Sequence, residues 1–235
     1  MKLLAIDTVT EACSVGLLID NDITESFEVV PRSHTQRVLP MVDDLLSRAG
    51  LSVQQLDGLV LDRGPGSFTG LRIGTSVIQG LGFATNLPVV PVSSLAALAQ
   101  AGLREHGLTK VLSVMDARMG EVYWGFYSLT EGYMQLSGTE QISQAEHINQ
   151  AGLIPTNGGD WTIFGTGCQN YAAQLAGLSG IRELISEPDI YPRARYLLEL
   201  AVFEWQQGNT VAALHAQPVY LRNNVAQKPK QNVTK

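Results

Sequence analysis

The chain has 235 residues, of which 45% are hydrophobic and 16% charged, with a formal net charge of −6. A chain of that size and apolarity can bury the core of one large domain or two small ones, which excludes a disordered protein. The acidic balance argues against a dedicated duplex binder, whose affinity rests on Lys and Arg neutralising phosphates. Cys13 and Cys168 cannot frame a disulfide scaffold, and the first apolar run ends early at Asp7, too short for a signal peptide. A reducing cytoplasm is expected. Residues 73–103 carry no Asp, Glu, Lys or Arg, but polar residues and prolines interrupt them too often for a membrane span.

Residues 3–6, 12–19 and 23–30 read as three strands of a meander. Ser33 opens a helix, with Gln36 at capping-box spacing and Val38, Met41, Val42, Leu45, Leu46 and Ala49 at helical period. Pro40 inside it predicts a kink or a first turn, and Gly50 a stop. Residues 56–61 form a fourth strand, followed by Gly64-Pro-Gly-Ser-Phe-Thr-Gly70 and a helix to about Ala84. Residues 87–92 are a fifth strand and 93–102 a helix. The second half restarts with strands at 111–115, 121–127 and 133–142, then helical sequence at 143–151 and a strand at 161–164. Gly165-Thr-Gly167 leads to helices at 169–176 and 193–207, and 226–235 read as a frayed tail.

Asp7 and Asp116 each end a short apolar strand, and each is followed by a turn and a meander, so the chain reads as a duplication of pattern rather than of sequence. The expected fold is α/β, with two duplicated actin-like (ASKHA, ribonuclease H-like) subdomains, each a mixed sheet flanked by helices. The halves divide at 1–104 and 105–235, with the last long helix packing back toward the first. In that superfamily ATP lies between the halves, against glycine-containing hairpins that let the backbone approach the phosphates. Here the first hairpin, Asp7 to Cys13, has no glycine and holds Glu11. The second, Asp116 to Glu121, keeps Gly120, and Gly165 and Gly167 are a remnant of the adenosine-side loop. Asp7, Thr8, Asp116, Gly165 and Gly167 therefore mark a degenerate nucleotide cleft. At the strand ends, Asp7 and Asp116 are either ligand contacts or turn caps.

Gly64 to Gly70 follows a strand and opens a helix, where anions bind. It is neither a Walker A loop, nor a dinucleotide fingerprint, nor a nucleophile elbow. It is a rigid turn or an anion site. Gly70 and Gly74 let another helix approach, either within this chain or from a partner. The four histidines offer no i, i+3 or i+4 pair for a metal, and a triad of His34 with Ser67 has no supporting spacing. Arg32, Arg37, Arg63 and Arg72 are surface charge or a contact for an acidic partner or RNA.

The stretches Leu4 to Ser14, Arg32 to Pro40, Arg63 to Gly74, Asp116 to Tyr123 and Pro218 to Arg222 resemble the bacterial TsaB (YeaZ) family, over nearly the whole chain. The resemblance implies a non-catalytic subunit in threonylcarbamoyladenosine synthesis, supporting the TsaD paralogue that modifies the adenosine beside the anticodon of tRNAs reading A-starting codons. The expected partners are TsaD, a TsaE-like ATPase, tRNA through the complex, and a second copy of the chain when TsaD is absent. No cofactor of its own is expected, beyond weak or interfacial ADP or ATP. The family pairs through its first two helices, which implies partner contacts at Val38, Met41, Val42, Leu45, Leu71, Gly74, Val77, Ile78 and Leu81. The competing readings are an independent ATPase or phosphotransferase of the same fold and a glycoprotease-like peptidase.

Overall fold

Leu3 and Ala5 face one side of the first strand and Leu4 and Ile6 the other, and all four are fully buried. That period-two pattern, apolar on both faces, requires a sheet covered on both sides. The computed structural model, which describes residues 1–151, 160–188 and 190–222, provides the cover. The first half comprises β1 (Lys2–Asp7), β2 (Ala12–Ile19), β3 (Asp22–Val29), α1 (His34–Arg48), β4 (Gly58–Gly64), α2 (Phe68–Thr85), β5 (Pro88–Ser93) and α3 (Ser94–His106). The second comprises β6 (Lys110–Arg118), β7 (Glu121–Thr130), β8 (Tyr133–Leu136), β9 (Gln141–Gln144), β10 (Trp161–Phe164), α4 (Gly167–Leu175), β11 (Ile181–Ile185), α5 (Ala194–Gln206) and β12 (Val211–Ala212).

The first sheet has the order β12-β5-β4-β1-β2-β3 and the second β11-β10-β6-β7-β8, with β9 also paired to β7. In both, the opening strand is antiparallel to the next (β1 with β2, β6 with β7) and parallel to a later one (β4, β10). Each half is thus a meander extended by two parallel strands, and the duplication seen at Asp7 and Asp116 is present in the backbone. Helices α1 and α2 cover one face of the first sheet, where Val38, Met41, Leu45 and Ile78 meet Leu4, Ile6 and Leu17. Helices α3 and α5 lie between the sheets, where Leu98, Leu197 and Leu198 join Leu3 and Val90 to Val111 and Phe164. Helix α4 covers the far face of the second sheet.

Several expectations change in detail. Ser33 precedes α1 but makes no side-chain cap, because its φ of −109° and ψ of 9° lie outside the extended region an N-cap needs. Pro40 stays inside α1 on its exposed face, where water can satisfy the carbonyl left without a donor. The single strand expected at 133–142 is broken between β8 and β9, where Glu140 turns inward to Tyr127. Residues 143–151 form the end of β9 and a 3-10 turn rather than a helix. The short strands β11 and β12 escaped the sequence reading. Helix α5 does return to the first sheet: a Cβ on Gly16 of β2 would lie 2.8 Å from Leu198 Cδ1. Ala213 and Ala216 also pack under α2. The tail at 226–235 lies outside the described residues. Among the described residues no helix is long and apolar enough to cross a membrane. Residues 73–103 are spent on α2, β5 and α3.

Candidate functional site

The hairpins β1–β2 and β6–β7 reach the same end of the two sheets and flank a cleft of about 1070 Å³. Its walls are Val9 to Glu11, His34, and Gly66 to Leu71 from the first half, with Asp116 to Arg118, Thr166 and Asn170 from the second. The segment Val219 to Arg222 closes one side.

On the first wall the chain occupies its own anion-binding groups. Thr8 Oγ1 donates to Gly70 O at 2.7 Å, and Ser67 N donates to Val9 O at 2.7 Å. Ser67 caps α2, its Oγ accepting from Gly70 N at 3.4 Å. The glycines of this loop serve close approach. A Cβ on Gly66 would sit 2.6 Å from Val9 Cβ, and one on Gly70 only 1.9 Å from the Thr8 carbonyl oxygen. The loop is a tight turn closed on the first hairpin. Ser67 N and Gly70 N, which a phosphate would use at a helix N-terminus, are taken.

On the second wall Asp116 is a cap. Its carboxylate accepts from Arg118 N at 2.7 Å, Asn170 Nδ2 at 3.0 Å and the Tyr171 hydroxyl at 3.2 Å. Its own N–H donates to Thr166 Oγ1 at 3.3 Å. Gly165 and Gly167 do not line the cleft; they lie against β6, a Cβ on Gly165 falling 2.3 Å from Val114 O. Across the cleft Arg118 pairs with Glu11, joining the tips of the two hairpins. Arg222 braces the second tip, donating to Ala117 O at 3.1 Å, Arg118 O at 3.3 Å and Glu121 at 2.5 Å.

Asp7 is fully buried behind the cleft and faces Asp62 of β4. Asp7 Oδ1 accepts from Val9 N at 2.9 Å, and Asp62 Oδ1 accepts from Gly64 N at 2.8 Å and Ser94 Oγ at 2.5 Å. Neither Oδ2 has a hydrogen-bond partner, so two facing carboxyls are buried with one satisfied oxygen each, an arrangement that disfavours charge on both. Burial, then the charge of Asp62, pushes Asp7 well above the ordinary carboxylate range. Burial raises Asp62 to about 6, against the donors at Ser94 and Gly64. Burial thus favours the protonated form of both carboxyls, Asp7 above all. In the unfolded chain both carboxyls ionise near pH 4, so from there upward the folded chain holds protons that the unfolded chain has lost. Stability falls as pH rises through about 4 to 6, by up to about 1.4 kcal/mol per pH unit for each retained proton. Asp62→Asn removes one carboxyl and offers Asp7 a neutral donor. Chemical denaturation from pH 4 to 8 should show a flatter dependence for this variant, and an unchanged slope would refute proton retention by the buried pair.

Both cysteines and His34 are buried. The thiols of Cys13 and Cys168 are buried and pushed up to about 12, unsuited to nucleophilic attack. His34 Nε2 is engaged with Ala12 O at 3.1 Å. Among the described residues no group of three His, Cys, Asp or Glu could hold a metal.

Of the nine residues expected to meet a partner, Val38, Met41, Val42, Leu45, Leu71, Gly74 and Ile78 are buried in this chain's own core. Val77 and Leu81 are half-buried against it. The apolar period read from the sequence is the inward face of each helix. The outward face carries Leu39 on α1, with Ser76, Gly80, Phe83 and Ala84 on α2, Phe83 being 89% exposed.

Duplicated mixed sheets with a cleft between their hairpins define a two-half α/β protein of the actin-like (ASKHA) class. Residues 26–229 match the family model described as TsaD: tRNA N6-adenosine threonylcarbamoyltransferase. The chain is 44% identical over 229 residues to the tRNA threonylcarbamoyladenosine biosynthesis protein TsaB of Escherichia coli, covering 97% of each. It is 39% identical to the TsaB of Haemophilus influenzae, covering 97% of this chain and 96% of that one. The solved structure of YeaZ from Pseudomonas aeruginosa superimposes with a TM-score of 0.86 at 45% identity, covering 94% of this chain and 99% of that one. The chain belongs to the TsaB (YeaZ) family.

Proposed function

We propose that this protein works in tRNA threonylcarbamoyladenosine biosynthesis as a non-catalytic cytoplasmic subunit. It supports a TsaD-like paralogue that transfers the threonylcarbamoyl group to the adenosine beside the anticodon of tRNAs reading A-starting codons. The observation that carries this reading is the self-occupied first wall: Thr8, Val9, Ser67 and Gly70 satisfy one another where a kinase of this fold would hold phosphates. The full-length likeness to TsaB proteins supplies the pathway. Docking of the paralogue, or of a second copy in its absence, falls to the outward face of α1 and α2 around Leu39, Gly80 and Phe83. A TsaE-like ATPase joins that pair. ADP or ATP binds this chain only weakly, or at the boundary with its partner.

Affinity capture of the chain from its native cytoplasm, with mass spectrometry of the co-purifying proteins, tests this reading. It should recover a metal-binding TsaD-like chain. Recovery of the bait alone, at normal levels of that paralogue, would overturn it. In a companion assay, ATP titrated into the isolated protein should give no turnover. Tight binding with hydrolysis would favour the independent ATPase.

A further inference from the structure

Ala216 anchors the chain to the first half: it is fully buried, and its carbonyl accepts from Gln79 Nε2 of α2 at 2.9 Å. Val219 N then donates to Arg63 O of β4 at 2.7 Å, and Tyr220 lies against Phe68 of α2 with ring centroids 5.4 Å apart. Two residues later the chain has crossed the mouth of the cleft. Arg222 donates to Ala117 O at 3.1 Å and Arg118 O at 3.3 Å, pairs with Glu121, and points Nη1 at Met119 Sδ, 3.4 Å away. Residues 219–222 thus tie β4 and α2 of the first half to the second hairpin.

The tip of that hairpin is strained. Arg118, Met119 and Gly120 have φ of +63°, +59° and +81°, three successive residues in the left-handed region, and two of them carry a Cβ that crowds the backbone there. Met119 is 71% exposed, so packing does not offset the strain. Hydrogen bonds do. Asp116 holds Arg118 N at 2.7 Å from within the second half, and Arg222 holds the carbonyls of Ala117 and Arg118 from the first. The tip in turn presents Arg118 to Glu11 on the opposite hairpin. Asp116, 3.5 Å away, is the partner left to Arg118 once the tip relaxes. The pair at the mouth is open to water, Arg118 and Glu11 being 69% and 45% exposed. Elsewhere the halves meet through buried groups: Glu140, 6% exposed, on Arg63, and the core around α3 and α5. Salt screens exposed pairs far more than buried ones, so the mouth gives way first.

We infer that residues 219–222 are a strap that holds the cleft shut, and that Arg222 does so through the second hairpin, by fixing the tip that carries Arg118 to Glu11. Release of the strap lets the tip relax and the mouth open, while the contacts of α3, α5 and Glu140 keep the halves joined. Closure of this kind is a property of the free chain, whatever partner it meets.

The test is pulsed electron double resonance on the full chain, with spin labels at Gln36→Cys in α1 and Ala173→Cys in α4. Both positions are exposed, one on each half, and the native thiols are buried. Arg222→Gln should lengthen and broaden the distance between the labels, and amide exchange across residues 117–120 should quicken about tenfold. The unsubstituted chain in about 1 M salt, where the screening length is about 3 Å, should shift the same way. Glu11→Gln should open the mouth as Arg222→Gln does, and combining the two should add little, because both act on one latch. An unchanged distance in Arg222→Gln would overturn the strap, whatever the salt response. Full additivity of the two substitutions would overturn the route through Arg118. The salt arm needs no substitution at Arg222, so if that variant fails to fold, the absence of a shift at high salt overturns the strap instead.

Discussion

Replacing Gly70 with alanine is expected to destabilise the protein by about 3 kcal/mol, the upper end of the usual cost of overpacking, since the clash is with backbone. The new Cβ would sit 1.9 Å from the carbonyl oxygen of Thr8 and 2.9 Å from its carbonyl carbon. Those atoms belong to the β1–β2 hairpin, which Ser67 N and Thr8 Oγ1 tie to the same loop, so the clash cannot be relieved by rotating a side chain. Thermal unfolding should move down by roughly 6–12 °C for a chain of this size. Gly80→Ala in the same helix is the control. Nothing lies within 4 Å of its Cβ position, and alanine is the better helix former, so stability should hold or rise by up to about 1 kcal/mol. Equal effects at the two positions would refute the tight contact between α2 and the first hairpin.

Gly80→Arg is expected to abolish docking on the α1–α2 face without harming the fold. The position is exposed and open, so an arginine fits the free chain, yet it would raise a charged bulk in the proposed contact, one helical turn from Phe83. Affinity for the TsaD-like partner should fall by more than about 100-fold, as for burial of an unpaired charge at an interface centre. Self-association by light scattering should disappear as well. Partner binding within threefold of wild type, with the fold intact, would place the interface elsewhere. Val77→Glu or Leu81→Glu tests the same face less cleanly. Both side chains are half-buried against this chain's core, so a charge there would destabilise the monomer as well.

The candidate site was legible in the sequence only in part. The absence of glycine between Asp7 and Cys13 argued against a phosphate at the first hairpin, and the structure adds that Thr8 and Val9 of that hairpin are bonded to Gly70 and Ser67. Asp7 and Asp116 stood as equivalent alternatives, cap or ligand contact. The structure makes Asp116 the cap of the second hairpin and buries Asp7 against Asp62, a pairing that no local pattern announces because the two residues lie on different strands. Seven of the nine residues expected at a partner lie in this chain's own core, for a simple reason. Helical periodicity identifies the face that is apolar, and on α1 and α2 that face is turned to the sheet, leaving Leu39, Gly80 and Phe83 outward.

The sequence alone determined most of the strands and helices and the duplication. These follow from local rules: apolar alternation in β1, helical spacing from Val38 to Ala49, and turn residues at the hairpins. The family was also written there, in the run from Arg63 to Gly74. Tertiary structure decided what depends on contacts between distant segments. It brought α5 back under the first sheet at Gly16, broke the edge strand so that Glu140 could reach Tyr127 and Arg63, and tied the hairpin tips through Glu11 and Arg118. Each of those contacts joins residues far apart in the chain, and a pattern read over a few turns or strands carries no information about which distant surface will meet it.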